Sequence, residues 1–325
     1  MIVYRFAHDD LLRTRFAISP LLEAMTSVAA LRDPAASSLH LPWVRTARER
    51  VAAPPALDLR MLEALVPRAA YVPDFASPPP ETPLPDVAAE IERVRATPPR
   101  QVRREIALAY EGRPLPAALR ALVDQPRRGL RELADLLAAY WERAIAPVWE
   151  EVLAVLEDDI AHRARALTAG GPIAVFGDLH PDVGWRGDAL VIDRPYAVEV
   201  ELGGRGLQLV PSAFFWPSVG AMTEPPWQPS VIYPPRGAGS LWAPPRADDG
   251  ALAALIGGRR AAVLAALDRE ASTTALARRL AAPPASVSEH LGVLRRAGLA
   301  RSRRQGREVL YVRTAAGDAL LRAPR

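Results

Sequence analysis

The chain has no cysteine and no lysine, and all 41 of its basic residues are arginine. Without thiols there are no disulfides, thiolate metal centres, iron–sulfur clusters or cysteine nucleophiles. Without lysine, Schiff-base and ammonium-based catalysis are excluded as well. No apolar run approaches the roughly 18 residues that a membrane-spanning helix needs, which predicts a soluble chain that avoids membranes. The opening MIVYRFAHDD lacks a basic segment followed by a long apolar stretch and a small-residue cleavage site. A cytoplasmic location is therefore expected. A dinucleotide-binding GxGxxG followed by a helix, the GxxxxGK[ST] loop, and the HExxH and GxSxG patterns are also missing. No cofactor, no resident metal and no enzymatic activity are expected.

The 325 residues suit two or three domains, at about 100 to 200 residues each. Prolines number 33, about a tenth of the chain and twice the usual share of roughly 5%. That abundance predicts stiff loops and sharply bounded helices. The formal charge of +4 hides an asymmetry. Residues 251–325 hold 14 arginines against 5 acids, whereas residues 1–250 hold 27 arginines against 32 acids. A basic tail on a mildly acidic body points to a polyanionic partner, nucleic acid first.

Along the chain, Tyr4 and Phe6 close a short strand. Ser19 and Pro20 form a cap and first-turn pair for a helix running to about Leu31. The proline-rich stretch from Phe75 to Asp86 reads as a loop or linker. The strongest helical periodicity lies between Leu130 and Leu167, divided at Pro147 and stopped at Gly170 and Gly171. Alternation then takes over in Leu190 and Ile192, in Val198, Val200 and Leu202, and in Leu207 and Leu209. The turn from Gly203 to Gly206 makes the last two segments a candidate hairpin. The expected fold class is α+β: a helical region over 1–167, a β-rich segment rich in proline and tryptophan over 168–242, a linker over 243–250, and a separate domain over 251–325.

That last segment is the most informative. Val263, Leu264 and Leu267 define one helix face, and Ser272 or Thr273 caps a second helix. After the turn AAPP, Val287, Leu291 and Leu294 recur at helical spacing, with Pro284 in the first turn and Gly298 at the C-cap. Pointing those apolar residues inward leaves Ala285, Glu289, Gly292 and Arg296 outward, flanked by Ser286, Ser288 and Arg295. Small and polar residues on an outward N-terminal turn suit entry into a major groove, and they suit a merely solvated helix equally. Leu299 to Arg313 reads as a hairpin tipped with Arg301, Arg303, Arg304 and Arg307. Thr314 caps a last helix.

RRAAVLAAL, TTALARRLA, SVSEHLGVLRRAGLARSRRQGREVLYVRT and AGDALL, over about residues 251–321, resemble the winged helix-turn-helix of the ArsR family of bacterial transcriptional regulators. The resemblance implies a sequence-specific DNA-binding regulator, mostly a repressor and usually a homodimer on double-stranded DNA. Helix 284–297 would read the major groove, and the tip 303–307 would serve as the wing on the backbone. The implied DNA-contacting set is Thr273, Thr274, Ser286, Ser288, Glu289, His290, Arg295, Arg296, Arg303, Arg304 and Arg307. His290 fits a structural hydrogen bond as well as a DNA contact. Three departures stand out. Pro283 replaces a capping Ser or Thr, Glu289 replaces a basic or amide residue, and the family's thiol-based metal-sensing motif is impossible without cysteine.

The first 250 residues say less. Asp178, His180 and Asp182 have a spacing that suits either a turn or a metal site. Glu199 and Glu201 share a strand face, as a solvent edge or a carboxylate pair. Trp185, Phe215, Trp216, Trp227 and Trp242 crowd the β-rich segment and fit either a loop-rich core or the walls of a pocket for a small-molecule effector. Two other classes of function remain open. An enzyme with an appended DNA-binding tail requires Asp178, His180 and Asp182 to converge. A winged-helix protein-interaction module requires an apolar outer face on the third helix.

Overall fold

The computed structural model describes residues 1–67, 71–242, 252, 255–280, 282–305 and 308–322. The chain divides into two units, Met1–Trp242 and Ala243–Arg325. In chain order the first contains β1 (Ile2–Arg5), α1 (Asp10–Arg13), β2 (Arg15–Phe16), α2 (Pro20–Arg32), α3 (Leu41–Ala52), α4 (Arg60–Leu65), α5 (Val87–Arg95), α6 (Pro99–Ala109), α7 (Arg120–Asp124), α8 (Pro126–Tyr140), α9 (Trp149–Phe176), β3 (Val183–Arg186), β4 (Ala189–Ile192), β5 (Val198–Glu201), β6 (Gln208–Pro211), β7 (Gly220–Met222) and β8 (Ser230–Tyr233). The class is α+β.

Helix α2 begins where Ser19 and Pro20 predict. Ser19 Oγ accepts the Leu22 N–H at 2.9 Å and donates to Glu90 Oε1 at 2.7 Å, and Glu90 Oε2 accepts the Leu21 N–H at 2.8 Å. The helix is buried on nearly every side, with Leu21, Met25 and Val28 at its centre, as befits the middle of a helical cluster. Its Glu23 accepts N–H bonds from Ala213 and Phe214, which ties the helices to the end of β6. Burial pushes the Glu23 and Glu90 carboxyls up to about 7, against the pull of these hydrogen bonds. Helices α7 and α8 cross closely because Gly129 has no Cβ; one placed there would lie 2.6 Å from the Leu122 backbone.

Two four-stranded sheets complete the unit, in the orders β3-β4-β1-β5 and β2-β6-β8-β7. Strand β1 lies antiparallel to β4 and parallel to β5, with Tyr4 opposite Leu190 and Val200. Tyr4 Oη donates toward the carbonyls of Met222 and Ser230, at 3.1 and 2.9 Å, and so joins the two sheets.

One expectation is corrected and another is narrowed. The segments around Gly203–Gly206 do not form a hairpin, because β5 pairs with β1 in one sheet and β6 pairs with β2 in the other. Gly203, Gly204 and Gly206 all take positive φ, and the Gly206 N–H donates to the buried Asp10 Oδ1 at 2.8 Å. The turn thus carries the chain from sheet to sheet. Of the two readings of Phe75–Asp86, loop or linker, the structure has the loop. Phe75 to Pro80 are buried, and their carbonyls are used: Pro80 accepts from Gln208 Nε2 at 2.8 Å and Pro79 from the Arg93 guanidinium at 2.6 Å. Proline cannot donate to a sheet, but its carbonyl still accepts, so the stretch packs as an ordered strap. Near Pro147 the helix passes through irregular turns between α8 and α9, and α9 breaks at Gly171 (φ 71°) before resuming to Phe176.

The second unit contains α10 (Gly258–Ala266), β9 (Ala271–Ser272), α11 (Thr273–Arg279), α12 (Pro284–Arg296), β10 (Ala300–Gln305), β11 (Glu308–Arg313) and α13 (Ala315–Arg322). Val263, Leu264, Leu276, Val287, Leu291 and Leu294 form its core. The sheet order is β10-β11-β9. Gly317 lets α13 approach the strand backbone, since a Cβ there would lie 2.3 Å from the Leu299 carbonyl oxygen.

Candidate nucleic-acid interface

In α12 the apolar residues Val287, Leu291 and Leu294 face inward, and Gly298 follows with φ 73°. Outward lie Ala285, Ser288, Glu289, Arg295 and Arg296, all exposed, while Ser286 and His290 are half-buried. Ser286 Oγ lies 3.4 Å from His290 Nε2, one turn along the helix. Pro283 at the N-cap provides no side-chain bond. Helix α11, by contrast, is capped by Ser272 Oγ, which accepts the Ala275 N–H at 3.4 Å; Thr274 is exposed and Thr273 half-buried at its start. The first turn of α12 therefore offers free N–H groups and short side chains at the surface, which is what an oxygen-rich partner requires.

Strands β10 and β11 pair from Ala300↔Arg313 to Gln305↔Glu308, and β9 adds Ser272 opposite Leu310. Arg301, Arg303 and Arg304 are exposed on β10. Arg303 is engaged by Glu270: its Nε donates to Oε1 and Oε2 at 2.9 Å each, and its NH2 also donates to Oε2. That pairing draws the Glu270 carboxyl below its ordinary range. Arg295, Arg296 and Arg301 make no ion pair with a carboxylate among the described residues. Arg307 lies outside the described residues. Arg313 and Arg279 serve the fold: Arg313 Nε donates to Asp318 at 2.8 Å and its NH1 to the Ala265 carbonyl at 3.0 Å, and Arg279 clasps Asp268.

Residues 259–303 match the model of a helix-turn-helix domain family. This segment is an ArsR-type helix-turn-helix domain. It supports a DNA-binding regulator of that type. The match takes in α10, α11, α12 and most of β10. Residues 98–239, from α6 past the end of β8, match a family of unknown function (DUF5937). No curated protein and no solved structure gives a significant match. No helix among the described residues is long and apolar enough to cross a membrane.

In the first unit, His180 and Asp182 touch, the Asp182 N–H donating to His180 Nδ1 at 3.1 Å with Asp182 Oδ2 3.6 Å from the same nitrogen, while Asp178 is drawn to other partners. Asp178 accepts from the Arg236 guanidinium at 3.0 Å, His180 Nε2 lies 2.8 Å from the Pro217 carbonyl oxygen, and Asp182 accepts from Arg194 at 2.9 Å. No three potential ligand side chains gather at metal-binding distance among the described residues. Glu199 and Glu201 flank Arg5 on the exposed edge of the sheet.

The five aromatics are not brought together. Trp185 stacks on Phe176 with ring centroids 5.2 Å apart, Trp227 Nε1 donates to Glu105 Oε1 at 2.6 Å, and Trp242 Nε1 donates to His40 Nδ1 at 3.0 Å. Phe215 and Trp216 border a cavity of about 400 Å³, together with Tyr71, Asp74 and Arg194. Sequence reasoning missed these last three and Glu270. The only local signal was an acid, Asp74, immediately before the apolar pair Phe75 and Ala76.

Proposed function

We propose that the protein is a homodimeric transcriptional repressor that acts by binding duplex DNA, without catalysis. Helix α12 enters the major groove, where Ser286, Ser288 and Glu289 meet base edges. Arg295, Arg296, Arg301 and the wing 303–307 hold the phosphates. Two such helices, one from each protomer, address half-sites about one helical turn apart. The unit Met1–Trp242 senses a small-molecule signal and biases the spacing of the pair.

One observation carries the reading: α12 presents small polar residues outward while three neighbouring arginines make no ion pair with a carboxylate among the described residues. A helix meant for protein contacts would carry an apolar outer face instead. Genomic pull-down with the full chain, followed by fluorescence anisotropy on the recovered duplexes at several salt concentrations, tests it. Affinity should fall linearly on logarithmic axes, with a slope of about −0.9 for each phosphate engaged. Absence of salt-dependent duplex binding would sink the proposal.

A further inference from the structure

The cavity beside Asp74 has a one-sided chemistry. Its walls are mostly apolar, with Leu22, Met25, Phe215, Met222 and Ile232 prominent, and its volume of about 400 Å³ lies within the range of small-molecule sites. Into this setting the chain places a buried carboxyl, Asp74. Its Oδ2 accepts from Tyr71 Oη at 2.9 Å, and Oδ1 has no partner among the described residues. A second acid, Glu105, fully buried, stands close enough to act on Asp74 electrostatically, and Glu224 adds to the same negative field. Glu105 is met by neutral donors: the Phe75 N–H at 2.7 Å, Trp227 Nε1 at 2.6 Å, and Gln101 Nε2. No arginine pairs with either buried acid among the described residues. Arg194, at the cavity edge, is already committed to Asp182 and to the Val219 carbonyl.

Two buried acids with no countercharge among the described residues are costly, and the molecule answers by holding the proton on Asp74: burial and the nearby Glu105 raise its carboxyl well above the ordinary range. A cation delivered by a ligand would provide the missing charge. Tyr196 and Trp216, both partly exposed, border the same cavity and are the residue types that attract a cation.

We propose that this cavity binds a small apolar molecule carrying one amine, with the ammonium group seated on Asp74 and the apolar body against Met25, Phe215 and Met222. On binding, Asp74 gives up its proton to solvent and its carboxylate pairs with the ammonium, so one proton is released for each amine bound. The inference names the ligand class for the sensing unit; its regulatory meaning rests on the DNA-binding reading, whereas the binding itself does not.

The test uses the full chain and three probes of matched shape: 4-phenylbutylamine, 4-phenylbutan-1-ol and 4-phenylbutanoate. In calorimetric titrations the amine should bind at least tenfold more tightly than the alcohol, with the carboxylate weakest. Repeating the titration in buffers of different ionisation enthalpy should reveal release of about one proton with the amine and none with the alcohol. Asp74→Asn should bring the amine down to the alcohol's level and leave the alcohol's affinity in place. The wild-type comparisons decide the matter even if that variant fails to fold. Equal binding of amine and alcohol, preference for the carboxylate, no proton release, or no binding of any probe would each overturn the proposal. Duplex binding is measured separately on the ligand-free protein, so its failure strikes the regulatory reading and leaves the amine result standing.

Discussion

Arg303 of β10 lies on Glu270 of the segment before β9, its Nε 2.9 Å from both carboxylate oxygens. This arginine of the hairpin is thus held inside its own unit, and phosphate must compete with a carboxylate for it. Glu270→Gln should raise duplex affinity about two- to fivefold and steepen the salt slope by about 0.9. Arg303→Ala should cost less affinity than Arg301→Ala, whose side chain makes no ion pair among the described residues. Anisotropy titrations across salt concentrations separate the two, and a larger loss from Arg303→Ala would show that the pair opens freely.

Arginines and the α12 face should separate by readout. Arg295→Ala and Arg296→Ala should weaken binding to all duplexes alike and flatten the salt slope by about 0.9 for each phosphate no longer engaged. Glu289→Gln and Ser288→Ala should instead change which sequence is preferred, since an acid accepts from cytosine and is repelled by phosphate. Selection from a random duplex pool, run for each variant, reads the preference directly. An unchanged consensus for both face variants would displace α12 from the groove.

Glu23 imposes a pH dependence on the first unit. Its carboxyl is raised from 4.5 to about 7 in the folded state, chiefly by burial. The native state therefore holds a proton that the unfolded chain releases, so stability falls as pH climbs from the ordinary carboxylate range to about 7 and levels off above it. The loss is at most about 3 kcal/mol. Glu90 titrates over the same window. Urea melts between about pH 5 and 8 should slope downward for the wild type and less steeply for Glu23→Gln.

Asp159 and Arg163 form a buried pair one helical turn apart, with Nε 2.8 Å from Oδ2. Tyr233 Oη donates to the same oxygen at 2.8 Å, and the guanidinium lies over the Tyr233 ring. Asp159→Ala strands a buried cation and should cost about 3–5 kcal/mol. Replacing both, Asp159→Leu with Arg163→Met, should recover much of that loss. Denaturant unfolding of the single and double variants measures the difference.

Gly317→Ala should destabilise the second unit, because the new methyl group would collide with the Leu299 carbonyl. The thermal midpoint of the full chain's second transition should drop, and duplex affinity at 25 °C should change far less.

What could be read in advance follows the range of the interaction. Ser19–Pro20, the spacing of Val287, Leu291 and Leu294, and Gly298 act within a few residues, and the elements they mark stand where they predict. The turn at Gly203–Gly206 misled because its partners, β1 and β2, lie almost two hundred residues earlier, and local alternation is blind to them. The strap from Phe75 to Pro80 has the composition of a linker, yet its carbonyls find donors on α5 and β6. The aromatics were legible as apolar and rigid but not as neighbours. Trp185, Trp227 and Trp242 settle in separate places, and the pocket's character comes from Asp74, which composition does not distinguish from any surface acid.

The placement of β1 governs the order in which the molecule can assemble. Its first residues are clasped between strands synthesised much later, with Tyr4 between Leu190 and Val200. While the ribosome is still adding the helices, Ile2 and Tyr4 have nothing to cover them, and the sheet closes only when nearly the whole unit has emerged. Pairing across so long a stretch of chain slows folding and leaves the apolar side chains of β1 open to chaperones. The second unit pairs its strands within a few dozen residues and is free to fold as soon as it is made.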